Sequence, residues 1–175
     1  MSESNGTVAF AKRLFEQHGT VVHRYFKRLT GDPAAAQDLT QEVFLRVVRG
    51  GERYEHRDRE RAWVFRIARN VLLDLRRREW RAPTEDLQSE PITAAHQSTR
   101  ASLREALTLI PTEDREAFLL REIGGLGYAE IAVTTSSTVP AVRSRIYRAR
   151  LALRDMLNPP APIVRSAVTR HEDHE

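Results

Sequence analysis

Along most of this chain apolar residues recur three and four positions apart, and nowhere do they alternate strictly with polar ones. Val8, Ala11, Phe15, Val22, Tyr25, Phe26 and Leu29 keep that rhythm. Ala36, Leu39, Val43, Phe44 and Val47 form a second set, and Val64, Ala68, Val71, Leu72 and Leu75 a third. Such spacing puts side chains on one face of an α-helix, whereas a half-buried strand needs a spacing of two. Gly31-Asp32-Pro33 punctuates the first two sets, with Asp32 as N-cap and Pro33 as the first helical residue. Gly50-Gly51 stops the second helix. The expected fold class is all-α.

The pattern breaks at Ala82. "APTEDLQSEPITAAHQS" has little periodicity and holds Glu85, Asp86 and Glu90, so 82–98 is expected to be a flexible acidic linker. Helical spacing resumes with Leu103, Ala106, Leu107 and Ile110. After Pro111, Thr112 can cap the next helix, and Glu113 and Asp114 suit its positive end. "YAEIA" reads as a short helix, "TTSS" as a turn, and Thr138 as the N-cap of a long last helix ending near Leu157. The division expected is two helical domains, 8–81 and 99–157, with a flexible tail over 158–175.

Composition narrows the chemistry. Among 175 residues there is no cysteine, which removes disulfides, thiol catalysis and cysteine-ligated zinc. The first residues lack a basic segment followed by an apolar one, and no run approaches the roughly 18 apolar residues that span a bilayer. A cytoplasmic location without membrane insertion is expected. His171 and His174 lie in "HEDHE", but a solvated chain end accounts for that tail better than a metal site. No metal, cofactor, small-molecule substrate or catalytic residue is assigned.

Positive charge is concentrated in two places. From Arg57 to Arg81 nine arginines face four acids, and from Arg143 to Arg154 five arginines face none. Two basic segments suit two contacts with one polyanion. The second lies on the last helix, where Val142, Ile146, Ala149 and Leu153 can face inward. Arg143, Tyr147, Arg150 and Arg154 then line the outer face, flanked by Arg145 and Arg148. A short helix, a tight turn and a capped longer helix is the helix-turn-helix arrangement, whose second helix reads base edges in the major groove. Arg143, Ser144, Arg145, Tyr147 and Arg148 are the reading candidates.

"GDPAAAQDLTQEVFLRVVR", "RAWVFRIARNVLLDLRRR", "ALTLIPTEDREAFLLREIGGLGYAEIA" and "VRSRIYRARLALRDML" resemble, in order and spacing, the extracytoplasmic-function (ECF) sigma factors of bacterial RNA polymerase. The first two look like the family's region 2, the last two like its region 4. The resemblance implies a transcription initiation factor rather than an enzyme. It implies core RNA polymerase as partner, through the clamp helices and flap of the large subunits, together with promoter DNA and an anti-sigma factor. Asp38, Gln41, Glu42, Phe44 and Leu45 stand where the family docks on the clamp.

Tyr54, the loop "EHRDRE" and Asn70 stand where the family captures a flipped base of the −10 element. Arg57, Arg59, Arg61, Arg66 and Arg69 would neutralise that strand's phosphates, and Arg76, Arg77 and Arg78 the adjoining duplex. The −35 element would fall to the last helix. The sequence departs from the family at "VTTSSTVPA": Ser136 occupies the usual glycine, and Thr134 and Thr135 the usual apolar positions, so weaker packing of the turn is expected. A stand-alone repressor would leave the first bundle without a role. An enzyme would have to rest on the tail, and a membrane-surface helix would need a lysine-rich, Trp-anchored margin around the third apolar stripe.

Overall fold

The computed structural model describes residues 2–50, 59–81 and 98–158, which hold seven helices and no strand. Helices α1 (Ser2–Thr30), α2 (Pro33–Gly50) and α3 (Glu60–Arg81) make one bundle. Helices α4 (Ser98–Leu109), α5 (Thr112–Glu122), α6 (Tyr128–Thr134) and α7 (Val139–Leu157) make the other. The loop with Tyr54 and Arg57, the linker acids, the side chain of Trp80 and the histidine-bearing tail lie outside the described residues.

The first bundle turns where its punctuation requires. Gly31 takes φ +73°, a left-handed conformation that closes α1, and Asp32 Oδ1 accepts the Ala34 N–H at 2.8 Å to open α2. The apolar stripe of α1 matches the spacing at Ala11, Val22, Tyr25 and Phe26 and departs from it at Val8 and Phe15, with Leu14 buried instead. Ala11, Leu14, Val22 and Tyr25 are buried, with His18 among them, while Val8 and Phe15 are 53% and 52% exposed. Phe15 keeps the helical spacing but not the burial, because two faces of the helix carry apolar groups. The ring instead lies at the rim, edge-on to Phe44 at 5.0 Å. Deeper in, Tyr25 meets Phe65 edge-to-face at 5.4 Å, which fixes α3 against α1. Trp63 is partly buried beside Phe10, a packing residue as the spacing implies.

In the second bundle, α5 ends in a tight reversal. A Cβ on Gly124 would lie 2.5 Å from the Leu120 carbonyl oxygen, and Gly125 takes φ +67°. The reversal delivers α6, whose first turn closes when the Gly127 N–H donates to Glu130 Oε2 at 2.7 Å. Thr138 caps α7 as its sequence implies, accepting from the Ala141 N–H at 3.3 Å. Thr112 does not cap α5. It is the first helical residue, Pro111 is the N-cap, and no side chain caps there. Proline, with φ held near its helical value, sets the entry instead.

The expected turn between α6 and α7 has the expected backbone with an unexpected interior. Ser136 takes φ +51° where glycine would be free of strain. Thr134 and Thr135 are buried, however, and the Thr135 hydroxyl donates to the Ile131 carbonyl at 2.8 Å. The Thr135 hydroxyl is thus turned inward and satisfied by the backbone.

The two bundles touch. Arg69 on α3 donates to Glu116 on α5 at 3.0 Å, and the Arg61 guanidinium lies against Gly125. The buried apolar residues of both bundles form one contiguous cluster.

Candidate nucleic-acid interface

Helix α7 is amphipathic in the way its sequence reads. Val142, Ile146, Ala149 and Leu153 are buried, and Arg143, Ser144, Tyr147, Arg148, Arg150 and Arg154 are exposed. Arg143, Ser144, Tyr147 and Arg148 line one open hollow of about 410 Å³ on that outer face. Tyr147 is 67% exposed, an unusual setting for an aromatic ring and suited to a partner's apolar edge.

The arginines of this face are not equivalent. Arg148 makes a bidentate pair with Asp114, at 2.8 and 2.7 Å, and Asp114 is buried. Arg145 pairs with Glu113 and also donates to the Ser137 hydroxyl at 3.2 Å. Arg150 pairs with Glu122 at 2.5 Å, and Arg154 with its neighbour Asp155 at 2.9 Å. Arg143 has no carboxylate partner among the described residues; its guanidinium carbon lies 5.4 Å from the centroid of the Tyr128 ring. Glu113 and Asp114, read from sequence as complements of a helix dipole, are therefore also the partners that fix two arginines of α7. That second role depends on which elements pack together, and spacing along one helix carries no sign of it.

Helix α3 presents a second face. Arg59, Arg61, Arg66, Asn70, Arg77 and Arg78 are exposed, while Arg69 and Arg76 are half-buried. Arg66, Asn70 and Arg77 follow a spacing of four and seven and share one side of the helix. Arg61, Arg69 and Arg76 lie on the side toward α1 and α5, so the described arginines expected to meet the opened strand and the adjoining duplex are divided between two surfaces. Asp74 holds Arg46 of α2 at 2.8 Å, and that contact keeps its carboxyl below the ordinary range.

The five α2 positions expected at a polymerase contact also separate. Asp38, Gln41 and Leu45 are exposed, Leu45 by 51%, and Val48 lies beside them at 38%. Glu42 is engaged by Arg46 at 2.7 Å. Phe44 is buried at 8% exposure and belongs to the core, because its ring fills the gap between α1 and α2 under Phe15. The exposed Phe15, edge-on to Phe44, extends the apolar part of this face onto α1. Among the described residues no group of His, Asp or Glu side chains could hold a metal ion, and no helix is long and apolar enough to cross a membrane.

Comparison with known proteins gives both halves a counterpart. The family model for Sigma-70 region 2 matches residues 14–82, and that for Sigma-70, region 4 matches residues 100–153. The chain is 40% identical over 157 residues to the ECF RNA polymerase sigma factor SigE of Mycolicibacterium smegmatis, a match covering 82% of this chain and 60% of that relative. It is 33% identical over 155 residues to ECF sigma factor SigL of Mycobacterium tuberculosis, covering 83% of this chain and 88% of the relative. Among solved structures, CnrH in complex with the cytosolic domain of CnrY superposes with a TM-score of 0.69 at 26% identity, over 88% of this chain and 91% of that one. The sigma factor RpoE of Bartonella quintana, solved with the anti-sigma factor NepR, gives 0.70 at 22% identity over 83% and 95%.

Proposed function

Because the chain belongs to the sigma-70 family as an ECF sigma factor, we propose that it binds core RNA polymerase and directs initiation at particular promoters, with α7 reading the duplex −35 element and α3 capturing the opened −10 element. The observation that supports this division most directly is the contrast between the two basic faces. On α7 one hollow is bordered by Arg143, held on the Tyr128 ring, and by Arg148, held on Asp114, so a guanidinium able to address a base edge stands beside one placed for a phosphate. On α3 the exposed amide of Asn70 stands between the exposed Arg66 and Arg77. An amide can address the edge of an unpaired base, and flanking arginines can hold the phosphates on either side.

The exposed Leu45 and Val48 of α2, with Asp38 and Gln41, supply the polymerase-facing surface in this proposal. Exposed apolar groups beside the Asp38 carboxylate suit a basic helix of the partner. Control by an anti-sigma factor belongs to the same proposal. It draws on the shared fold with a sigma factor solved beside its anti-sigma factor, and on the apolar margin that Phe15 and Leu45 leave uncovered.

The test is transcription in vitro from a genomic library with core polymerase, with and without the purified chain. Transcripts starting at discrete sites only when the chain is present are expected. An unchanged transcript pattern would overturn the proposal.

A further inference from the structure

Tyr128 stands at the start of α6, outside the helix that carries the reading residues. Its ring is flanked by two guanidinium groups, Arg121 with its carbon 5.0 Å from the centroid and Arg143 at 5.4 Å. Arg121 is itself fixed, donating to the Leu126 carbonyl at 2.8 Å within the reversal formed by Gly124 and Gly125. The ring is half-buried and follows directly on the Gly127 cap, so the backbone below it is held as well.

The way Arg143 is held differs in kind from the way its neighbours are. A carboxylate engages a guanidinium along its edge and occupies N–H donors, as Asp114 does to Arg148 with two bonds. An aromatic ring engages the flat face and leaves the in-plane donors unoccupied. Guanine is recognised by those in-plane donors, in a bidentate bond to its two major-groove acceptors. A long side chain loses rotamer freedom when it is fixed on a base, and a support that restricts it beforehand reduces that loss.

We infer that Tyr128 is a positioning residue for promoter recognition: its ring holds Arg143 at the reading face with the hydrogen-bonding edge open, and so sets discrimination at the base pair Arg143 reads. This rests on the function proposed above. Tyr128 itself touches no base; it acts through Arg143. Arg145 and Arg148, whose donors are committed to Glu113 and Asp114, contribute by holding α5 and α7 together and by offering charge to phosphates.

The experiment is a double-mutant cycle on the full chain with core polymerase, scoring transcription from a promoter and from variants substituted at each −35 base pair. Tyr128→Leu is expected to reduce discrimination about threefold to tenfold at the base pair sensitive to Arg143→Ala, and at no other, in keeping with the strength of a partly exposed cation–π contact. Tyr128→Phe, which keeps the ring, restores it. In an Arg143→Ala background Tyr128→Leu has no further effect on discrimination. An equal loss at every base pair, an additive loss in the Arg143→Ala background, or failure of Tyr128→Phe to restore would each overturn the inference. If the wild-type chain gives no promoter-dependent transcript, it is the functional proposal that fails. Thermal unfolding of each variant separates a folding defect from lost positioning, because only the latter is confined to one base pair.

Discussion

The two basic helices of this protein carry their charge in opposite ways. On α7, four of the five arginines between 143 and 154 are matched with acids, three of them from the neighbouring α5, and the fifth is held by a ring. On α3, Arg66 and Arg78, like Arg59 just before it, have no carboxylate partner among the described residues, and the shorter of its two arginine pairs, Arg69 with Glu116, reaches across to the other bundle. A matched arginine is fixed in place and weak as a long-range charge. An unmatched one is mobile and strong as a charge. The first arrangement favours recognition of one geometry, the second attraction to any phosphate backbone.

The largest test of that contrast asks whether the two helices act at different steps. Arg143→Ala is expected to weaken promoter recognition by about 1–3 kcal/mol, confined to one −35 base pair. Asn70→Ala should leave initial closed binding nearly unchanged and impair strand opening, read as loss of permanganate-reactive thymines at constant complex yield. Equal effects of both substitutions on closed-complex affinity would erase the division of labour between α3 and α7.

Next in size is the pair that joins the bundles. Arg69 and Glu116 retain 19% and 10% side-chain exposure, against 53% and 42% for Arg150 and Glu122. Removing Arg69 strands a buried carboxylate, so Arg69→Ala should lower unfolding free energy by roughly 2 kcal/mol. Glu122→Ala, at an exposed pair, should cost less than about 1 kcal/mol. Denaturant unfolding of the two variants measures both. Comparable small losses would mean that the contact between bundles is no firmer than a surface pair.

Much of this was legible in the sequence, and the reasons are local. Helix periodicity, the Asp32-Pro33 start and the Thr138 cap depend on residues a few positions apart, and all three are found as read. The inward face of α7 and the outward setting of Arg143 and Tyr147 follow from the same periodicity. Facts set by packing between elements were not legible. Phe15 and Leu14 are adjacent and both apolar, and only the position of α2 decides that Leu14 is the buried one. Phe44 likewise sits in a motif read as a docking surface, and only the Phe15 ring above it shows that it is core. Glu113 and Asp114 gain their roles from α7 residues 32 and 34 positions away, and Tyr128 from Arg143, a relation that no single-helix pattern encodes.

A smaller effect concerns the turn before α7. A non-glycine residue in the left-handed region is strained by about 1–2 kcal/mol, and glycine relieves this while losing roughly 0.5–1 kcal/mol to unfolded-chain entropy. Ser136→Gly is therefore expected to stabilise the α4–α7 bundle by a few tenths to about 1 kcal/mol, with no change in −35 preference. Thermal unfolding gives the first quantity and transcription from −35 variants the second. Destabilisation would show that the Ser136 side chain stabilises the turn in a way the backbone angle does not reveal.

Acid separates the two bundles most gently of all, because only one of them contains a histidine among the described residues. His18 is buried on α1 at 8% exposure, and its Nδ1 has no hydrogen-bond partner there. Burial pushes its pKa below the ordinary 6.5, and the nearby Arg61 and Arg13 push the same way against Glu60. A histidine whose pKa is lowered by folding binds its proton more readily in the unfolded chain. Stability is then unaffected well above pH 6.5 and declines as pH falls through that value toward the folded pKa. Residues 98–158 contain no histidine, so the α1–α3 bundle should lose protection first. Amide exchange at pH 7.5 and at pH 5.5 is expected to show faster opening around His18 at the lower pH, after correction for intrinsic rates, with little change in α5 and α7. His18→Leu should remove the difference. If the corrected rates in α5 and α7 rise in parallel, the contiguous apolar core and the Arg69–Glu116 pair couple the bundles too tightly for one to loosen alone.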